Sequence, residues 1–341
     1  MVEGDPPPLV SAIVQAYHSH EGGASWQPEQ LVQRLHAVPL SIEILVNDDS
    51  MDDTASPAWR QWLTGPHDFY LQSNNIHEIR AYNRLARFAR GTFLVFLQGD
   101  YCLPTSPAWL LQAVHLFNAF PELSLLGGAS GYRSSMTDES RGATKTAAQE
   151  YTRRKRAGMW GASPYRPIAS GYQANGTVVP FAWIHAVSLG PLIVRRTSFS
   201  QVGGFDEALS SRGNPGIGLD ESLSLQMWRA GLRVGIFYSG VINGIGGRKS
   251  MRPGRAHANR RSASVRNAAR LAPWWVELNE SITLHVDTAN ALLVPFAETE
   301  QREQQQKAAR ASGANKRCRS DLSGRRTNAA NAGSAARGRD G

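Results

Sequence analysis

The run Thr92-Phe93-Leu94-Val95-Phe96-Leu97-Gln98 has no polar face. A strand that is apolar on both sides has to be covered on both sides, which calls for a sheet buried between layers. Residues 9–17 (LVSAIVQAY) and 41–47 (SIEILVN) read the same way, and 67–72 gives a shorter strand. Between these strands lie segments whose apolar residues recur close to every 3.6 positions. They are 26–38, where Pro28 suits a first helical turn, 57–64, and 79–91, for which Gly91 is the expected end. Strand and helix in alternation predict an α/β fold with a parallel sheet covered on both faces. Ligands of such sheets bind at the carboxyl ends of the strands, a rule that brings Asp48, Asp49 and Asp100 to one rim.

Beyond residue 130 the pattern weakens. Residues 132–180 are rich in Ser, Gly and Thr and are expected to form a long loop. Strand character returns at 188–196, a helix with acids in its first turn is expected at 219–231, and a strand at 232–238. The segment 298–341 is low in complexity and is expected to be disordered.

Charge is unevenly spread. Residues 301–341 carry ten Lys/Arg against three Asp/Glu, a net +7 out of the chain's +9. A second basic run, 248–270, has eight Lys/Arg and no acid. Neither run interleaves aromatic residues or forms a recognisable nucleic-acid module, so no nucleic-acid partner is expected. Two cysteines, Cys102 and Cys318, are too few for a disulfide framework or a cysteine metal site. The first residues (MVEGDPPPLV) have neither a basic nor an apolar signal region, and no apolar run approaches the length of a membrane span. A cytoplasmic location without a membrane span is the expectation. No G-x-G-x-x-G follows the first strand, which disfavours a dinucleotide dehydrogenase.

Five stretches, in this order, resemble the family 2 glycosyltransferases of the GT-A fold: VSAIVQAY, VNDDSMDDT, IRAYNRLARFARGTFLVFLQGD, SQVGGFDEAL and LDESLSLQMWRAGLRVGIF. Together they span about residues 9–240. On this resemblance residues 9–275 form the glycosyltransferase domain, an α/β fold of Rossmann-like type with a mostly parallel mixed sheet flanked by helices. Residues 9–130 are its nucleotide-binding half, and 131–260 its acceptor half with the long loop 132–180. An extension (1–8), a C-terminal segment (276–297) and the basic tail (298–341) surround it.

The resemblance also implies roles. Ala16 and Tyr17 at the end of the first strand, with Asp48, would meet the nucleotide, since a carboxylate accepts a base N–H well. Asp49 and Asp53 stand where the family has glycines. In the helix, Asn83, Ala89, Arg90 and Gly91 match, but Tyr82 replaces the arginine that meets the diphosphate, and Arg80 is the candidate substitute. The family's F-L-D-x-D-D is FLQGDY here, so Gln98 and Gly99 are placed at the nucleotide and Asp100 alone remains to hold Mn²⁺ or Mg²⁺. Leu219-Asp220 replaces the family's E-D pair, and Asp220 is the candidate catalytic base. Arg248 and His257, in the basic run, are candidates for a phosphate or metal contact.

The implied activity is transfer of a sugar from a nucleotide-sugar, a UDP-sugar first, to a hydroxyl of a glycan, lipid or protein acceptor, with inversion and a divalent cation. The alternative is a non-catalytic nucleotide- or glycan-binding relative with an eroded metal site.

Overall fold

The structure, a computed structural model, describes residues 6–17, 28–50, 56–128, 130–132, 159–161, 168, 170–174, 177–210, 216–241 and 255–295. The first seven elements follow the expected alternation: β1 (Val10–Ala16), α1 (Pro28–His36), β2 (Ile42–Asp48), α2 (Ser56–Trp62), β3 (Phe69–Gln72), α3 (His77–Ala86) and β4 (Phe93–Gln98). Next come α4 (Ala108–Ala119) and β5 (Leu123–Gly127), which the sequence reading did not assign. β6 (Ser130–Tyr132) ends where the expected long loop begins, and within that loop lie β7 (Met159–Gly161), β8 (Ser170–Ala174) and the start of β9 (Thr177–Trp183). There follow β10 (Ala186–Val187), β11 (Leu192–Arg195), α5 (Arg196–Gln201), a short 3-10 turn (Glu207–Leu209), α6 (Leu219–Arg229), β12 (Arg233–Phe237), α7 (Arg255–Ala291) and β13 (Val294–Pro295).

Ten strands form one sheet in the order β13-β8-β9-β12-β5-β11-β4-β1-β2-β3, and β10-β6-β7 form a smaller one. From β3 to β4 every neighbour is parallel. β11 then runs antiparallel to both β4 and β5. β5 and β12 are parallel to each other, and β9, β8 and β13 continue antiparallel. This is the expected mixed α/β sheet flanked by helices, with its parallel pairing concentrated on one side.

β1 is buried along its whole length, which explains why it is apolar at both alternations. Below β4 an aromatic cluster joins α3 and α5 to the sheet: the Phe96 ring lies 5.2 Å from Tyr82, 5.2 Å from Phe199 and 4.9 Å from Phe205.

One boundary differs from expectation for a clear reason. α3 ends at Ala86, not at Gly91. Gly91 instead lies against the backbone of β1, where an added Cβ would stand 2.5 Å from the Ser11 nitrogen. Its N–H donates to Ser11 Oγ at 2.8 Å. Ser11 in turn donates to the buried Glu43, which also receives the Arg90 backbone N–H at 2.6 Å and the Arg90 Nε–H at 3.0 Å. The glycine permits a close approach that this buried charge network needs.

The long helix α7 was not anticipated either; it occupies part of the basic run and passes without interruption through residues 275 and 276. It is clasped to the mixed side of the sheet by side chains. Asn267 donates to the carbonyls of Leu209 (2.7 Å) and Ile217 (2.8 Å), and Asn290 receives the Trp183 N–H (2.8 Å) while donating to its carbonyl (2.9 Å). Cys102 is in a disulfide bond, which the cysteine count did not lead us to expect. Among the described residues no helix is long and apolar enough to cross a membrane.

Candidate functional site

The carboxyl ends of β3, β2, β1 and β4 stand side by side. Register pairs Gln72 with Asp48 and Asp48 with Ala16, and the Gly99 N–H donates to the Gln15 carbonyl at 2.8 Å. Ala16, Asp48, Gln98, Gly99 and Asp100 therefore share one rim, as the strand-end rule requires. Tyr17, next to Ala16, is exposed.

The two acids after β2 serve the chain itself. Asp48 is fully buried: Ser50 donates to its Oδ1 from both N–H and hydroxyl, and the Tyr70 hydroxyl donates to Oδ2 at 3.1 Å. Burial above all, with the Asp48 charge adding to it, pushes the Tyr70 phenol up to about 12. Asp49 accepts from the Ser73 hydroxyl (2.7 Å) and from the backbone N–H groups of Ile76 (2.9 Å) and His77 (2.8 Å). It thereby caps the entry to α3 and steadies two residues in left-handed backbone, Asn75 (φ 58°) and His77 (φ 60°).

Two helix candidates point elsewhere than the rim. Arg80 donates to Ser210 through Nη1 (3.1 Å to Oγ) and Nη2 (2.7 Å to the carbonyl), and its Nε lies 3.7 Å from Glu207. Asn83 clasps the Phe205 backbone in both directions, at 2.8 and 3.0 Å. Both tie α3 to the turn after α5. Tyr82, at the position of the family's arginine, is buried and donates to the Leu97 carbonyl at 3.0 Å.

A residue that the sequence reading passed over stands at the rim instead. Glu78, in the first turn of α3, accepts from Gln98 Nε2 at 3.0 Å. Because an ionised carboxylate only accepts, this bond fixes the amide nitrogen of Gln98 as donor and leaves its carbonyl oxygen for other partners. Tyr101, buried beside them, is pushed well above the usual phenol range by burial and then by the charges of Asp100, Glu78 and Asp220. Tyr101 thus sits in the common field of three carboxylates drawn from β4, α3 and α6. An acid in the first turn of the helix after β3 was the available signal for Glu78.

The approach of Asp220 to this group follows from topology. β11 runs antiparallel to β4 with Leu192 opposite Phe96, so the chain just before β11 lies at the rim where β4 ends. Leu189, in that lead-in, donates its N–H to Asp220 Oδ2 at 2.8 Å. The Glu221 N–H donates to Oδ1 at 2.9 Å. One bond on each oxygen orients the carboxylate and leaves lone pairs on both. Glu221 faces the other way; it is buried and accepts from Trp275 Nε1 on α7 at 3.0 Å. The separation around the helix axis expected of neighbouring residues accounts for the split.

No set of three or more His, Cys, Asp or Glu side chains that could hold a metal ion is present among the described residues. The donors at the rim, the Asp100 carboxylate and the Gln98 carbonyl oxygen, fit an ion shared with substrate phosphates, which is a common arrangement for Mg²⁺. Arg248, like Asp53, lies outside the described residues; His257 falls in the first turn of α7.

No family model matches the chain, and no curated protein matches it. Among solved structures it is similar to S. aureus TarS, with 16% identity and a TM-score of 0.40 over 67% of this chain and 35% of that one. A TarS 1-349 structure in complex with UDP-GlcNAc gives 16% identity and 0.39 over 67% of this chain and 55% of that one. The mannosyltransferase PcManGT from Pyrobaculum calidifontis, in complex with GDP-Man and Mn²⁺, gives 17% identity and 0.43 over 91% and 76%. The matched part is little more than half the length of the TarS 1-349 chain and about a third of the longer one.

Proposed function

We propose that this chain is an inverting glycosyltransferase of GT-A type that takes a sugar from a nucleotide-sugar, a UDP-sugar first, and attaches it to an acceptor hydroxyl. The observation that supports the reading is topological: Asp100 follows the end of β4, and Leu189, whose N–H holds Asp220, leads into β11, the neighbour of β4. Two acids from distant parts of the chain are what a single displacement needs, one on the side of the leaving group and one on the side of the acceptor.

In this reading Asp220 takes the proton of the acceptor hydroxyl while that oxygen bonds to the anomeric carbon and the bond from carbon to the diphosphate oxygen breaks. The two backbone N–H groups on Asp220 hold it in position for that transfer. Asp100 and the Gln98 carbonyl oxygen would hold Mn²⁺ or Mg²⁺, with Glu78 fixing the Gln98 amide. When bound, the cation offsets charge on the departing diphosphate. The nucleotide lies along Ala16, Tyr17 and Gly99, with residues 9–130 as its half of the domain and 131–260 shaping the acceptor side.

The second reading, a binding module without turnover, draws on Asp48, whose oxygens are buried and already engaged within the chain. Calorimetry with UDP, with and without Mn²⁺, on wild type and Asp100→Ala, tests the proposal. Metal-dependent binding that the variant loses supports it. Binding indifferent to both metal and Asp100 would overturn the metal-assisted form and favour the binding module.

A further inference from the structure

Charge along α7 is divided in two. From Arg255 to Ala272 the helix holds five arginines and no acid; from Trp274 to Ala291 it holds Glu277, Glu280 and Asp287 and no Lys or Arg. This arrangement opposes the helix dipole, which favours acids near the N-terminus and bases near the C-terminus. The sequence of α7 therefore forgoes a stabilisation that the reverse order would supply.

The outer face explains what the division is for. Residues seven apart on a helix fall about 20° from one another, so Arg266, Pro273, Glu280 and Asp287 share one face. Ala269, Val276 and Leu284 lie among them. All are exposed, Val276 at 72% and Leu284 at 70%. The flanking charges Arg270 and Glu277 are already paired within the chain, with Asp206 and Arg229. Among the described residues Arg266 and Glu280 make no such pair. They stand at equal distances on either side of Pro273.

We infer that this face of α7 binds a second copy of the same chain, antiparallel, about a two-fold axis at Pro273. Antiparallel pairing sets the basic half of one helix beside the acidic half of the other and opposes the two dipoles. Arg266 then faces Glu280 of the partner subunit, and symmetry repeats the pair. Val276 packs beside Ala269 of the partner subunit. Pro273, exposed on this face, lies where two such helices would cross. A single helix pair buries less than a standard interface, so the dimer is weak and sensitive to salt.

Sedimentation velocity of the full chain over a wide concentration range, at low and high salt, tests this. The expected result is a monomer–dimer equilibrium that salt weakens. Arg266→Glu and Glu280→Arg should each weaken it about tenfold, since each turns two attractive pairs into repulsive ones. The double variant Arg266→Glu/Glu280→Arg should restore it, which loss through misfolding would not do. A monomer at every concentration overturns the inference, as does a double variant no better than either single one. Co-sedimentation of a monomeric chain with anionic vesicles overturns it too, in favour of a lipid surface.

Discussion

The parallel side of the sheet and the mixed side are held together in different ways. From β3 to β4 the rim is built by strand register and by acids that serve nearby backbone: Asp48 on Ser50, Asp49 on the entry to α3. On the mixed side the long-range ties are side chains of α7 reaching backbone far away in sequence, Asn267 to Leu209 and Ile217, Asn290 to Trp183. On the first side bonds within the rim are joined by Arg80 and Asn83, which reach Ser210 and Phe205; the second depends on one helix lying in place. In the function proposed above, the donor side is thus set mainly at its strand ends and the acceptor side by that helix.

The largest effect should fall on the mixed side without disturbing its fold. Asp220→Asn is expected to lower transfer about 10²- to 10⁴-fold while nucleotide binding stays near wild type. Full transfer in that variant would remove Asp220 as the base. The parallel side should answer in stability instead. Gly91→Ala drives a Cβ to 2.5 Å from the Ser11 nitrogen of β1 and should cost about 3 kcal/mol in urea unfolding. Asn267→Ala leaves two carbonyls without their donor and should cost about 1–2 kcal/mol, with faster hydrogen exchange confined to α7 and the strands beneath it. Exchange spread evenly over the sheet would end the distinction between the two sides.

The sequence displayed the parallel side and concealed the mixed one, for a physical reason. The β1, β2 and β4 runs and the acids after them are local signals, and their rim positions follow from strand ends alone. Asn267 and Asn290 carry no local mark, because their worth lies in carbonyls far along the chain. α7 was hidden by its basic composition, and α4 by an apolar residue set that leaves little periodic contrast. The rim position of Asp100 was legible from the end of β4, whereas Asp220 entered only through resemblance to a motif. Arg80 was not, since its commitment to Ser210 depends on a turn that folds against it from far downstream.

The smallest effect separates the two sides by pH. His285, beside Trp183 and Trp228, is held below the usual imidazole range by burial and then by the Arg233 charge. Its folded state binds fewer protons than the unfolded chain, so its contribution is present above about pH 6.5 and is lost as pH falls below that. Tyr70, at about 12, behaves in the opposite sense: the folded chain keeps its proton longer, and stability falls as pH rises from about 10. Mild acid should loosen the mixed side first and strong alkali the parallel side. Thermal melts of His285→Gln and Tyr70→Phe should each flatten one limb of the profile; a variant that leaves its limb unchanged would break the assignment.

β11 runs against both of its neighbours, β4 and β5, in the middle of the sheet. Asp100 hangs from the end of β4, and the segment that anchors Asp220 leads into β11 next door. The segment that holds Asp220 is therefore one step between strands, about 4.8 Å, from the strand that ends before Asp100. Loops on either side can lengthen, shorten or change sequence while that step stays the same.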